Sequence, residues 1–326
     1  MDKKLKYICL LGSILFLGLT GRGQIYPVNN QYFVNPYSLS PAFAGYNQTS
    51  QVFAGYRQQW QKMPGAPQTA FISLVVPVWS KVWLGGYIYN DQSSIFNNFY
   101  ASASYTYRLQ IAEKHLVRFG GWISMRQNTI NLRNINVENE NDPLLQNRVQ
   151  LNGTAFNAGF GFVYQNTHLM MGFSVPNLLV SRRTYGLSSE NNLAVMERNY
   201  VAYAFYRHPL GENWSLNPSL VVMATKYAPA SIEFAALAKY RDILWAGMFY
   251  RTSSMLGFSL GGYIIENISL NYTYEFSNNG FTQYTSGTHE FTIGFDLNPG
   301  KGNYKKAGKS GPQYPVIMEY NRKYRK

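Results

Sequence analysis

His289 and Glu290 stand side by side, and a histidine next to a carboxylate is the first place to look for acid–base chemistry. The surroundings argue against it. A lipid-cleaving barrel would need a serine nucleophile beside that histidine on the lipid face, whereas consecutive residues of a strand point to opposite faces. His115, His168, His208 and His289 are the four histidines, and they show none of the spacing that zinc ligands adopt. Cys9 is the single cysteine, which excludes a disulfide framework and every multi-cysteine metal site. Asn139, Glu140, Asn141 and Asp142 offer oxygen ligands for calcium, but without the regular spacing and turn glycine of a calcium loop they read as a solvated loop. The sequence thus assigns no catalytic residue, no metal ligand and no cofactor, and predicts a protein that is not an enzyme.

Residues suited to meeting a partner are easier to find. Arg57 and Trp60 lead into Gly65-Ala66-Pro67, a conformationally restricted turn. Two readings of it stand: a surface that grips a partner's extended segment, or a closure device in which Arg57 answers buried carbonyls or a carboxylate. The second set is Lys305, Lys306, Lys309, Arg322, Lys323, Arg325 and Lys326, within 298–326. A basic cluster of this kind attracts an acidic protein or an anionic headgroup surface.

The charge balance locates that cluster. The chain has 326 residues and a formal charge of +13, but only 14% of its residues are charged, against about 25% in ordinary globular domains. More than half of the excess lies in 298–326, and half of the rest in the leader, where Lys3, Lys4, Lys6 and Arg22 outweigh Asp2. The body between is nearly neutral. Lys3, Lys4 and Lys6 precede an apolar stretch from Tyr7 to Leu19, with Gly21, Arg22 and Gly23 before Gln24. That is the pattern of a secretory signal peptide over 1–23, too short to span a bilayer as a helix. Export places the mature chain away from nucleic acid.

Past residue 24 the pattern has period two. Phe99, Ala101, Ala103, Tyr105 and Tyr107 alternate with Tyr100, Ser102, Ser104 and Thr106. Phe156, Ala158, Phe160, Phe162 and Tyr164 alternate with Asn157, Gly159, Gly161 and Val163, small residues suited to a crowded interior. Phe291, Ile293, Phe295 and Leu297 alternate with Thr292, Gly294 and Asp296. Such alternation predicts half-buried strands. Marking each gives fourteen: 49–60, 68–77, 81–90, 97–111, 114–128, 153–167, 168–176, 195–208, 212–226, 230–240, 242–252, 254–265, 267–277 and 288–297. Short joints follow the even strands, and the long gaps follow odd ones. An exported, even-stranded, antiparallel sheet with short turns at one end and long loops at the other predicts an all-β outer-membrane β-barrel over 49–297. Tyr105, Tyr107, Trp122, Tyr164, Tyr206, Trp245, Tyr250, Tyr272 and Tyr274 are the expected interfacial girdle. Residues 24–48, rich in Pro, Asn and aromatics, are expected in the periplasm or in the lumen as a plug. By analogy with such barrels the basic tail is expected to be periplasmic and the long loops extracellular.

Two sets of residues say more than the pattern. One is Gln31-Tyr32-Phe33-Val34-Asn35-Pro36, then Ser40-Pro41-Ala42-Phe43-Ala44-Gly45, Arg57, Gln59-Trp60 and Gly65-Ala66-Pro67-Gln68-Thr69. The other is Val175-Pro176-Asn177-Leu178-Leu179, Tyr240-Arg241-Asp242, Trp245-Ala246-Gly247, Tyr250-Arg251, Tyr272-Thr273-Tyr274-Glu275 and Gly287-Thr288-His289-Glu290. In order and spacing these resemble the PorP/SprF family of outer-membrane proteins, associated with type IX secretion and gliding in the Bacteroidetes. Ser40 stands where the family usually has Asn, and Glu275 where Asp is common; 298–326 lies beyond the match. The resemblance implies a barrel without chemistry that anchors or helps export a secreted surface protein, such as an adhesin with a C-terminal sorting domain. It also implies contact with periplasmic components of the machinery, with Asn177 added to the partner-binding residues. The alternative reading is a passive porin.

Overall fold

The computed structural model describes residues 30–132, 150–184, 193–196, 198–226, 228–252, 255–277 and 285–297. It opens with three 3-10 turns, Asn30–Phe33, Pro36–Ser38 and Pro41–Phe43. The strands are β1 (Gln51–Gln58), β2 (Gln68–Trp79), β3 (Val82–Ser93), β4 (Phe96–Ala112), β5 (His115–Asn131), β6 (Gln150–Gln165), β7 (Leu169–Val175), β8 (Ser181–Thr184) and β9 (Leu193–Met196). They continue with β10 (Asn199–Tyr206), β11 (His208–Leu210), β12 (Trp214–Thr225), β13 (Ala228–Tyr240), β14 (Leu244–Arg251), β15 (Met255–Ile265), β16 (Ile268–Ser277) and β17 (Thr288–Asp296). No described helix is long and apolar enough to cross a membrane.

Each wall strand pairs antiparallel with its neighbours, and β1 pairs with β17, so the sheet closes on itself. β10 and β11, interrupted only at Arg207, both pair with β12 and form one wall strand, which makes the wall fourteen-stranded. Closure gives every central backbone group a partner, the condition for strands to sit in lipid. β8 and β9 pair with each other as a hairpin; the sequence suggested no strand over 181–184, and the second half of β9 was read as the start of the wall strand 195–208, which begins only at Asn199. The long connections 59–67, 132–149, 176–198 and 278–287 all leave the same end. At the other end Ser80-Lys81, Glu113-Lys114 and Glu266-Asn267 suffice.

The period-two faces sort as the pattern requires. On β4 the hydroxylated set, Tyr100, Ser104 and Thr106 among it, is buried toward the lumen, while Tyr105 and Tyr107 face out. On β6 Phe156 is 72% exposed, whereas Gly159, Gly161 and Val163 are buried. Outward apolar residues on β4 run from Phe99 to Ile111, a rise of roughly 30 Å in a tilted strand, enough to cover a hydrocarbon band. Toward the long-loop end the outward residues turn polar, with Gln127 and Thr129 on β5 and Asn152 and Thr154 on β6. Two expected girdle residues are not in the girdle. Trp245 is buried in the lumen and donates from Nε1 to Asn271 Oδ1 at 2.8 Å, and Trp122 donates to the Pro176 carbonyl at 3.1 Å. An indole N–H needs an acceptor, which the lumen offers and lipid does not. Trp79 and Trp214, outward at the short-turn end and 67% and 53% exposed, take the interfacial place instead.

The core of this molecule is its lumen. Residues 30–50 fold inside the cylinder, and Phe43, Ala42, Ala44 and Tyr32 are almost wholly buried against side chains from the wall.

Candidate functional site

The plug is short irregular chain made rigid by local chemistry. Pro36 and Pro41 each occupy the first position of a 3-10 turn, where their fixed φ is already suitable. The Ser40 hydroxyl accepts from Ala42 N at 3.3 Å and caps the third turn. Serine therefore does the capping here that Asn does equally well. The wall supplies what these turns leave unmet. Thr106 Oγ1 donates to the Pro41 carbonyl at 2.7 Å, Ser174 Oγ donates to the Leu39 carbonyl at 2.9 Å, and Asn35 Nδ2 donates to Ser73 Oγ at 2.9 Å. Tyr37 and Ser104 share a hydroxyl contact of 2.7 Å. Aromatic packing completes the seal, with Phe43 4.8 Å from Tyr203 and Phe33 5.5 Å from Phe249 between ring centroids.

Two wall glycines show how close the fit is. A Cβ at Gly161 would lie 2.0 Å from Ser40 Oγ, and one at Gly120 would lie 2.5 Å from Ala42 N. Neither place admits a side chain.

At the long-loop half of the lumen the plug begins in a charged latch. Arg57 is 2% exposed and donates to Glu275 at 2.8 Å and to Glu290 at 2.7 Å. Arg251 pairs with Glu233 and lies 3.8 Å from Glu275. The plug joins this lattice directly. Asn30 N donates to Glu290 Oε2 at 3.0 Å, Asn30 Nδ2 donates to Glu275, Arg251 donates to Asn30 Oδ1 at 2.8 Å, and Tyr32 donates to Glu233. Two guanidiniums and three carboxylates buried together are tolerable because each is met by hydrogen bonds from the others or from the plug. Arg207 and Asp242 make a second, bidentate pair at the short-turn end, both contacts 2.9 Å.

Arg57 thus lies inside the lumen. The loop that follows lies on the rim. Trp60 is 40% exposed with φ 46°, Lys62 has φ 79° and Gly65 φ 69°. The loop is clipped to the neighbouring one by Gln61 N to the Gly287 carbonyl and Ser286 N to the Gln61 carbonyl, both 2.9 Å, while Pro67 offers its carbonyl to Gln59 N at 2.9 Å. Asn177 is buried just after β7, on the wall opposite β1. Arg57, Trp60, Gly65 and Pro67 are therefore neighbours, and Asn177 is not among them. Lys305, Lys306, Lys309, Arg322, Lys323, Arg325 and Lys326, the leader and Asn139–Asp142 lie outside the described residues. His289 Nδ1 meets Tyr272 Oη at 2.7 Å while Glu290 bonds Arg57, so the two adjacent groups serve opposite faces.

Glu233, Arg251, Asn30 and Tyr32 complete the latch, and none was singled out as a site residue from sequence. A signal existed. In strands with so few charges, Glu233, Arg251, Glu275 and Glu290 all fall on the inward parity.

A closed antiparallel barrel with an apolar outer band and a lumen filled by its own N-terminal segment is an outer-membrane β-barrel of the self-plugged kind. The chain belongs to the PorP/SprF family: the pattern described as "Type IX secretion system membrane protein PorP/SprF" matches residues 21–295. No curated protein matches it. Solved structures similar to it include a Pseudomonas aeruginosa FadL homologue, at 10% identity over 85% of this chain and 96% of that one with a TM-score of 0.48. The translocator domain of autotransporter NalP from Neisseria meningitidis is similar at 11% identity, over 81% and 94%, with a TM-score of 0.44. The Acinetobacter baumannii outer membrane protein Omp33 is similar at 8% identity, over 77% and 100%, with a TM-score of 0.45.

Proposed function

We propose that this barrel is a non-enzymatic adaptor of type IX secretion. In this reading its long-loop end faces outward and anchors or helps export a secreted surface protein, of the kind that carries a C-terminal sorting domain. Its short-turn end and basic tail face the periplasm and meet other components of the machinery. The observation that carries this reading is the plug. A lumen occupied by residues 30–50, hydrogen-bonded to β2, β4, β7 and the latch, leaves no wide path for solutes, so the work of the molecule falls to its two ends. A passive porin would need the opposite design, a polar lumen left open.

Deleting 299–326 tests the adaptor. The shortened protein is expected to insert normally, seen as an unchanged shift of gel mobility on heating, and to lose surface retention of its exported partner. Full retention would overturn the role given to the tail. Loss of insertion would show that the tail serves assembly instead.

A further inference from the structure

A charge buried in the lumen needs a counter-charge, because neither lipid nor packed side chains replace its hydration. Arg57, Arg207 and Arg251 each meet a carboxylate. Arg118, on β5 close to the Glu113-Lys114 turn, is 0% exposed and meets none among the described residues. Buried acids that could serve it are held elsewhere: Glu233, Glu275 and Glu290 in the latch, Asp242 by Arg207 and Asp296 by Gln51.

The neighbour of Arg118 adds to the charge. Arg108 on β4 is its direct cross-strand partner, also buried toward the lumen, and like charges placed opposite each other repel. Arg108 Nη2 donates to the Ser80 carbonyl at 3.1 Å, and its guanidinium lies 5.2 Å from the Trp83 ring. The hydrogen bonds of Arg118 leave one edge of its guanidinium open. Nη1 donates to Gln165 Oε1 at 2.6 Å, Nη2 reaches the Tyr46 carbonyl of the plug only at 3.5 Å, and Nε has no partner among the described residues. Nε and Nη2 carry the two parallel N–H bonds that take both oxygens of a carboxylate or phosphate.

We propose that Arg118, with Arg108 opposite, forms a binding site for one oxyanion, a carboxylate or phosphate group, at the short-turn end of the lumen. The group sets two oxygens on the Nε–Nη2 edge and balances the facing guanidiniums. Since the same guanidinium touches Tyr46, a filled site also steadies the wall where the plug leaves it. Two sources carry this chemistry: a free anion, or the carboxylate of Glu319 in the basic tail. The proposal does not depend on the adaptor reading.

The test uses the full-length protein in detergent, its unfolding midpoint read from the heat-dependent shift in gel mobility. Sodium phosphate, compared with sodium chloride at equal ionic strength, is expected to raise the midpoint saturably, since a ligand held only by the folded state stabilises it. Arg118→Gln should weaken phosphate binding at least about ten-fold, and Arg118→Lys, which keeps the charge but not the fork, should weaken it nearly as much. Lys114→Gln, exposed in the adjoining turn, should respond as the wild type does. A response in Glu319→Gln but not in the wild type identifies the tail as the source; a response in both identifies a free anion. Equilibrium dialysis of labelled phosphate needs no variant at Arg118, and one saturable equivalent per barrel is expected from the wild type or from Glu319→Gln. No binding to either protein, or an undiminished response in folded Arg118→Gln, would overturn the site.

Discussion

Arg57 is where wall and plug converge, since it neutralises Glu275 and Glu290 while Asn30 bonds the same two carboxylates. Removing it would leave two carboxylates buried with too little compensation. Arg57→Ala is expected to cost about 3–5 kcal/mol in an unfolding titration in detergent, whereas Lys114→Ala, exposed in a turn, should stay within about 0.5 kcal/mol. Equal effects would mean that the latch carries no stability. Sequence left Arg57 between a gripping surface and a closure device, because a lone arginine near a strand end looks the same in both. Its partners lie 218 and 233 residues away, and only barrel closure brings β1 beside β17 and within reach of β16.

The elements were the most legible level, because period two is a local property. The alternating runs at 99–107, 156–164 and 291–297 each place their apolar set outward as read. Trp122 and Trp245 were misplaced since an aromatic residue fits either face, and only a hydrogen-bond acceptor decides which. Leu260, 63% exposed at mid-wall on β15, belongs to lipid, so Leu260→Arg should cost about 2–4 kcal/mol in barrel stability while Asn152→Arg costs at most about 1 kcal/mol. Gly161→Val tests the plug as an element. Its side chain must displace Ser40 and Pro41, so the variant is expected to insert with a leaking lumen; Gly86, with nothing nearer than 3.8 Å, tolerates the same change without a leak. A sealed Gly161→Val barrel would show that the plug shifts without letting go.

At the scale of the whole molecule, charge distribution and closure together define the protein. A nearly neutral body suits a wall whose outside is lipid and whose inside is occupied, and most of the basic excess sits in the leader and the tail. The family motifs explain themselves at this scale. Tyr32-Phe33, Ser40-Pro41-Ala42, Arg57, Arg251, Glu275 and Glu290 are scattered along the chain yet meet in one lumen. The account stands on that lumen being closed by the chain itself. The most direct measurement is the conductance of the full-length protein in planar bilayers, recorded beside the Gly161→Val variant. The account predicts rare and brief openings for the wild type and sustained current for the variant. A wide, steady pore in the wild type would contradict it.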